Sequence, residues 1–152
     1  MEQSIVPLKL YRQFVKRMPL ACVDIVVKNS GKFLFVKRKF NPARNQWWFP
    51  GGRVFFNEGL RQSAKRKLAE ELAVKKIKSI EFLGTDVTKF KKGYFNLPTH
   101  TVNSVFLAEI DNNETKKIKL DLINHFGYKW IDQIPKNIHS YLKKFLKLAG
   151  FK

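Results

Sequence analysis

Apolar positions fall at helical spacing near both ends of the chain. Over residues 7–18, Leu8, Tyr11, Phe14, Val15 and Met18 recur on one face, which predicts an amphipathic helix opening at Pro7 and stopped by Pro19. Over 137–149, Ile138, Tyr141, Leu142, Phe145, Leu146 and Ala149 do the same with lysines opposite, and Gly150 ends the run. Between the two, the pattern changes to strands. Residues 21–27 (ACVDIVV) form a buried-strand run broken by one charge, Asp24, and the turn at 29–32 joins it to 33–38 (FLFVKR) as a hairpin. A short apolar strand at 47–50 (WWFP) leads into a Gly51-Gly52 turn. Longer strands are expected over 80–90 and 100–110, joined by a basic, aromatic loop at 91–98. A turn at 111–113, short strands at 116–120 and 127–131 and a loop at 121–126 complete the pattern. With no repeat, linker or low-complexity tract, the expectation is one α+β domain over residues 1–152.

The central stretch, residues 51–74 (GGRVFFNEGLRQSAKRKLAEELAV), carries the candidate chemistry. A glycine pair feeds a helix that ends in adjacent carboxylates, Glu70 and Glu71, a natural holder for a metal ion and a diphosphate. At 100° per residue, Ala64, Lys67, Leu68 and Glu71 share one face of that helix. The apolar members turn this face toward protein, so Glu71 requires a cation, either a metal or Lys67.

Charge narrows the partners. Thirty Lys and Arg against twelve Asp and Glu give a net charge of +18 and favour an anionic ligand. Much of the excess is lysine scattered along the chain, which weighs against nucleic acid as the main partner. Cys22, the single cysteine, excludes an internal disulfide and reads as a buried filler. No run approaches the length of a membrane span, so the expectation is a soluble, cytoplasmic protein with no membrane partner.

The central stretch resembles the signature of the Nudix hydrolases: Gly52, five residues, Glu58, seven residues, then Arg66, Lys67, Leu68, Ala69, Glu70, Glu71, Leu72, Ala73 and Val74. Two positions depart from that pattern, Lys67 where the family has Glu and Ala73 where it has Gly. The resemblance implies an α/β/α sandwich with a mixed sheet and a loop–helix–loop box. It also implies divalent-metal hydrolysis of nucleoside diphosphate derivatives, with Mg²⁺ expected and Mn²⁺ as the alternative. Lysine offers only donors, so Lys67 removes a metal ligand and repels the metal.

Outside the box the chain is similar to the GDP-mannose mannosyl hydrolase subfamily. The similarity rests on Pro19-Leu20, 24–27 (DIVV), Asn29-Ser30-Gly31, Lys37-Arg38, Trp48-Phe49, 50–54 (PGGRV) and Asn124-His125 ahead of Tyr128-Lys129-Trp130. It implies that Asp24, Arg38, Arg53, Glu71 and His125 belong to the active site and that a homodimer forms. In this expectation His125 is the base for water attacking the anomeric carbon, and Arg38 and Arg53 grip phosphate. Asp24 stabilises the sugar cation or holds a hydroxyl, and Gly51, Glu71, Glu70 and Asn124 are the metal ligands. Thr101 replaces a subfamily tyrosine, the 90–98 loop is shorter, and Glu70 is retained where the subfamily has lost it. Two rivals follow: an ordinary pyrophosphohydrolase breaking a P–O bond, and a non-catalytic module that binds nucleotide or RNA.

Overall fold

The computed structural model describes residues 6–152. Its elements are α1 (Leu8–Arg17), β1 (Leu20–Asn29), β2 (Lys32–Arg38), β3 (Trp47–Trp48), β4 (Gly51–Arg53), α2 (Leu60–Leu72), β5 (Ser79–Phe90), β6 (Thr99–Glu109), α3 (Asn112–Thr115), β7 (His125–Ile131) and α4 (Ser140–Leu148), with a short 3₁₀ turn at Tyr94–Asn96. The sheet is mixed. β1 runs parallel to β6 and antiparallel to β2 and β4, while β5 closes the far side against β6 and β7 pairs with β2.

Alternation along β1 divides the core in two. Val23, Ile25 and Val27 face Ala64, Leu68 and Leu72 of α2. Val26 faces Tyr141, Leu142, Phe145 and Leu146 of α4. Helices therefore cover both faces, and the expected α/β/α sandwich is the observed fold. α1 lies apart on a smaller cluster with Leu20 and Cys22, and Cys22 is buried as expected.

Three local expectations are corrected. Gly51-Gly52 is not a turn but the head of strand β4, because β1 offers it an open edge at Cys22–Asp24. Residues 116–120 are not a strand. Asp111 caps α3 by accepting from the Glu114 N–H, and the segment after it turns its own N–H groups to the open carbonyls of α2, Lys119 to Leu72 at 3.0 Å and Asp121 to Glu71 at 2.8 Å. Finally, β7 begins at His125, two residues earlier than expected, so His125 lies on a strand and not in a loop.

Candidate active site

Bare backbone at the head of β4 sets the geometry. A Cβ at Gly51 would lie 2.2 Å from Asp24 Oδ1 and 2.3 Å from the Val23 carbonyl, while the Gly51 N–H donates to Glu71 Oε2 at 3.2 Å. Gly51 thus separates an acid of β1 from an acid of α2 at a distance no other residue allows. At Gly52 an added Cβ would meet the Lys67 stem at 2.8 Å.

Charges interlock along α2. Arg66 grips Glu58 through Nε at 2.6 Å and a terminal nitrogen at 2.9 Å, and it reaches the Arg53 carbonyl and Glu70. Those bonds are the first cause of the Glu58 carboxyl falling to about 2. Lys67 Nζ stands 3.1 Å from Glu71 Oε1 and 3.3 Å from Glu70 Oε2. Glu71 is buried, whereas the Glu70 side chain is 43% exposed.

His125 enters from the other side of the sheet edge, in register with Arg38. It is 2% exposed, and its Nε2 faces Glu71 Oε2 at 3.6 Å, beyond hydrogen-bond length. Neither ring nitrogen has a hydrogen-bond partner among the described residues. The His125 backbone N–H donates to the Asp121 carbonyl at 3.1 Å, and Asp121 Oδ2 accepts from the Asn124 amide at 2.6 Å.

These groups line an open cavity of about 390 Å³ that holds Arg38, Gly51, Arg53, Glu70, Glu71, Asn124 and His125. Tyr11, Phe40, Phe55 and Tyr94 give it aromatic walls, with the Arg53 guanidinium 4.1 Å from the Tyr11 ring. Arg38, Gly51, Gly52 and Tyr94 also border an inner recess of about 40 Å³ that contains Asp24. There the Tyr141 hydroxyl donates to Asp24 Oδ2 at 2.6 Å. Burial is the leading cause of the Asp24 pKa rising to about 7, with the Tyr141 bond and Arg38 opposing it. All eight expected site residues therefore meet at one place, seven in the outer cavity and Asp24 behind them.

A NUDIX domain profile matches residues 18–145. The chain belongs to the NUDIX family. Among curated proteins it is similar to the low-salt glycan biosynthesis protein Agl8 of Haloferax volcanii, 41% identical over 64 residues, which are 42% of this chain and 41% of that one. It is also similar to the ADP-ribose pyrophosphatase of Methanocaldococcus jannaschii, 28% identical over 110 residues, 72% of this chain and 60% of that one. The chain thus spans 41% and 60% of the lengths of these two relatives. Among solved structures, the MutT NUDIX hydrolase of Burkholderia pseudomallei superposes with a TM-score of 0.70 at 20% identity, covering 88% of this chain and 99% of that one. The NUDIX domain of Shewanella oneidensis NrtR, solved with ADP ribose, gives 0.66 at 22%, covering 95% and 97%. Both show the same fold.

Within this NUDIX fold the four expected metal ligands, Gly51, Glu70, Glu71 and Asn124, share the outer cavity, yet the set does not fit a divalent ion as folded. Among the described residues no three His, Cys, Asp or Glu side chains group at ligand spacing. The Lys67 ammonium already stands between the two carboxylates, and Glu71 Oε2 is held by the Gly51 N–H. A dication 4 Å from that ammonium would meet repulsion of roughly 8 kcal/mol at an effective dielectric of 20.

Two features of the site do not follow from the sequence pattern. Tyr141 counts in the α4 stripe as an apolar position, but a hydroxyl in a buried stripe needs a partner, and that need is the signal the sequence offers. The Glu58–Arg66 pair belongs to the signature by spacing, and only the fold shows that the two side chains bind each other.

Proposed function

We propose that this protein hydrolyses a nucleoside diphosphate sugar, with GDP-mannose as the leading substrate and GDP and mannose as products. The observation that carries the reading is His125, a buried imidazole with no hydrogen-bond partner among the described residues, on the wall of a cationic, aromatic-walled cavity. Arg38 and Arg53 suit the diphosphate, since planar guanidinium groups match phosphate oxygens, and the aromatic side chains offer faces to a base. Water adds to the anomeric carbon, its proton passes to His125, and the bond from that carbon to the β-phosphate oxygen breaks. Asp24, carried with Arg38 beside the inner recess, holds a sugar hydroxyl or balances the cationic carbon. The family resemblance implies Mg²⁺, whereas Lys67 stands in the cation's place, so assays belong both with Mg²⁺ and with a chelator.

A second reading is favoured by the retained Glu70 and by the relative named as an ADP-ribose pyrophosphatase. It breaks the P–O–P bridge. Incubation with GDP-mannose and with ADP-ribose in ¹⁸O-labelled water separates the two. We expect label in free mannose and none in GDP; label in a phosphate product, with a sugar phosphate released, would replace the first reading by the second. In the same assay His125→Gln is expected to lower kcat at least about a hundredfold with KM little changed.

A further inference from the structure

We propose that Lys67 is the resident cation of this site, and that the cavity holds the diphosphate of its ligand without a divalent metal. The position of Lys67 is built rather than incidental. Glu70 and Glu71 follow it by three and four residues on α2, so the helix itself brings both carboxylates to Nζ, at 3.3 Å and 3.1 Å. Its stem lies along Gly52, where an added Cβ would come within 2.8 Å of Lys67 Cε. Its side chain is 18% exposed, and it borders the outer cavity together with Arg38 and Arg53.

Donor counting gives the ammonium its second task. A lysine ammonium has three hydrogens and no lone pair. One donates to Glu70 Oε2 and the ammonium pairs ionically with Glu71 Oε1, which still leaves a hydrogen for the cavity. Arg38 gives Nε to the Pro42 carbonyl at 2.7 Å, and neither its terminal nitrogens nor the Arg53 guanidinium donate to a protein acceptor among the described residues. The cavity therefore presents unspent donors on three cations, Arg38, Arg53 and Lys67. Glu71, the deepest acid facing it, is neutralised from inside the chain. A phosphate oxygen completes the third ammonium bond, whereas a divalent ion must first expel the ammonium.

The phosphate half of this inference rests on the nucleoside-diphosphate reading above; the metal half does not. Manganese titration of the metal-free protein, followed by electron paramagnetic resonance, tests the metal half. The wild-type chain is expected to hold no Mn²⁺ tighter than about millimolar, and Lys67→Gln and Lys67→Glu to gain one site at least about tenfold tighter. Circular dichroism confirms that each variant is folded, and the neutral Lys67→Gln serves if three adjacent acids unfold the other. Calorimetric titration with GDP tests the phosphate half. In chelator the wild type should bind GDP within about threefold of its affinity in Mg²⁺. Lys67→Gln should lose about tenfold in chelator and recover with Mg²⁺. A tight one-to-one Mn²⁺ site in the wild type, or GDP binding that requires Mg²⁺, overturns the inference. Failure of GDP to bind under either condition removes the nucleotide reading instead, and the manganese result then decides the role of Lys67 alone.

Discussion

Asp24 sits behind Gly51 with its carboxyl pushed by burial from 3.8 to about 7, and the Tyr141 hydroxyl, Arg38 and Trp48 pull it back down. A carboxyl raised on folding keeps its proton in the native chain over a window where the unfolded chain has lost it. The native state then binds more protons, so this group's contribution to stability is full below pH 4 and declines as pH rises toward 7. Asp24→Asn should therefore flatten the slope of unfolding free energy against pH across that window, measured by urea denaturation. An unchanged slope would place the acid in a solvated environment. Tyr141→Phe removes a bond that favours the carboxylate, so its declining slope should extend above pH 7. The acid was legible as the one charge in an apolar strand. Its partner was not, because Tyr141 satisfies the apolar spacing of α4 and only its hydroxyl marks it as different.

α2 carries the site, and its C-terminal end is held by two different means. Its C-terminal cap is Ala73, held at φ 57° in the left-handed region, where the family pattern has glycine. A Cβ in that conformation costs on the order of 1 kcal/mol. Ala73→Gly is therefore expected to raise the melting temperature by about 3 °C; a lowered value would mean that the alanine methyl contributes more by packing than it costs in strain. Just beyond, the α2 carbonyls of Glu71 and Leu72 receive the N–H groups of Asp121 and Lys119. That exchange is why 116–120 does not form a strand although Lys117, Ile118, Lys119 and Leu120 alternate as one. Ile118 and Leu120 pack on the α2 side of the core. It also ties the chain ahead of β7 to Glu71, which brings His125 beside that acid. The box spacing made the helix and its acids legible, and the long apolar runs made β1, β2, β5 and β6 legible within a few residues. What spacing could not carry was a segment whose hydrogen bonds go to a helix end distant in sequence, and a glycine pair needed for close approach rather than for turning.

For the molecule as a whole, a net charge of +18 surrounds an outer cavity where aromatic rings and carboxylates join the cations. Elsewhere the lysines stand exposed on separate elements: Lys75, Lys76 and Lys78 after α2, Lys91 and Lys92 in the β5–β6 loop, and Lys143, Lys144 and Lys147 on α4. Such a distribution raises the potential over all faces without forming one track for a nucleic-acid backbone. Its effect on a small anion is kinetic. Long-range attraction enriches a nucleoside diphosphate near the surface, and the guanidinium groups of Arg38 and Arg53 take over at contact. Between about 20 mM and about 300 mM salt the Debye length falls from roughly 20 Å to roughly 6 Å, so steering should weaken while the close contacts persist. Stopped-flow measurement with a fluorescent GDP analogue is expected to show the association rate falling about tenfold over that range, with the dissociation rate nearly constant. An association rate indifferent to salt would leave the charge without a part in capture. Titration with a single-stranded RNA under the same conditions sets the rival apart: tight binding that persists at about 150 mM salt would make the basic surface, rather than the cavity, the principal ligand site.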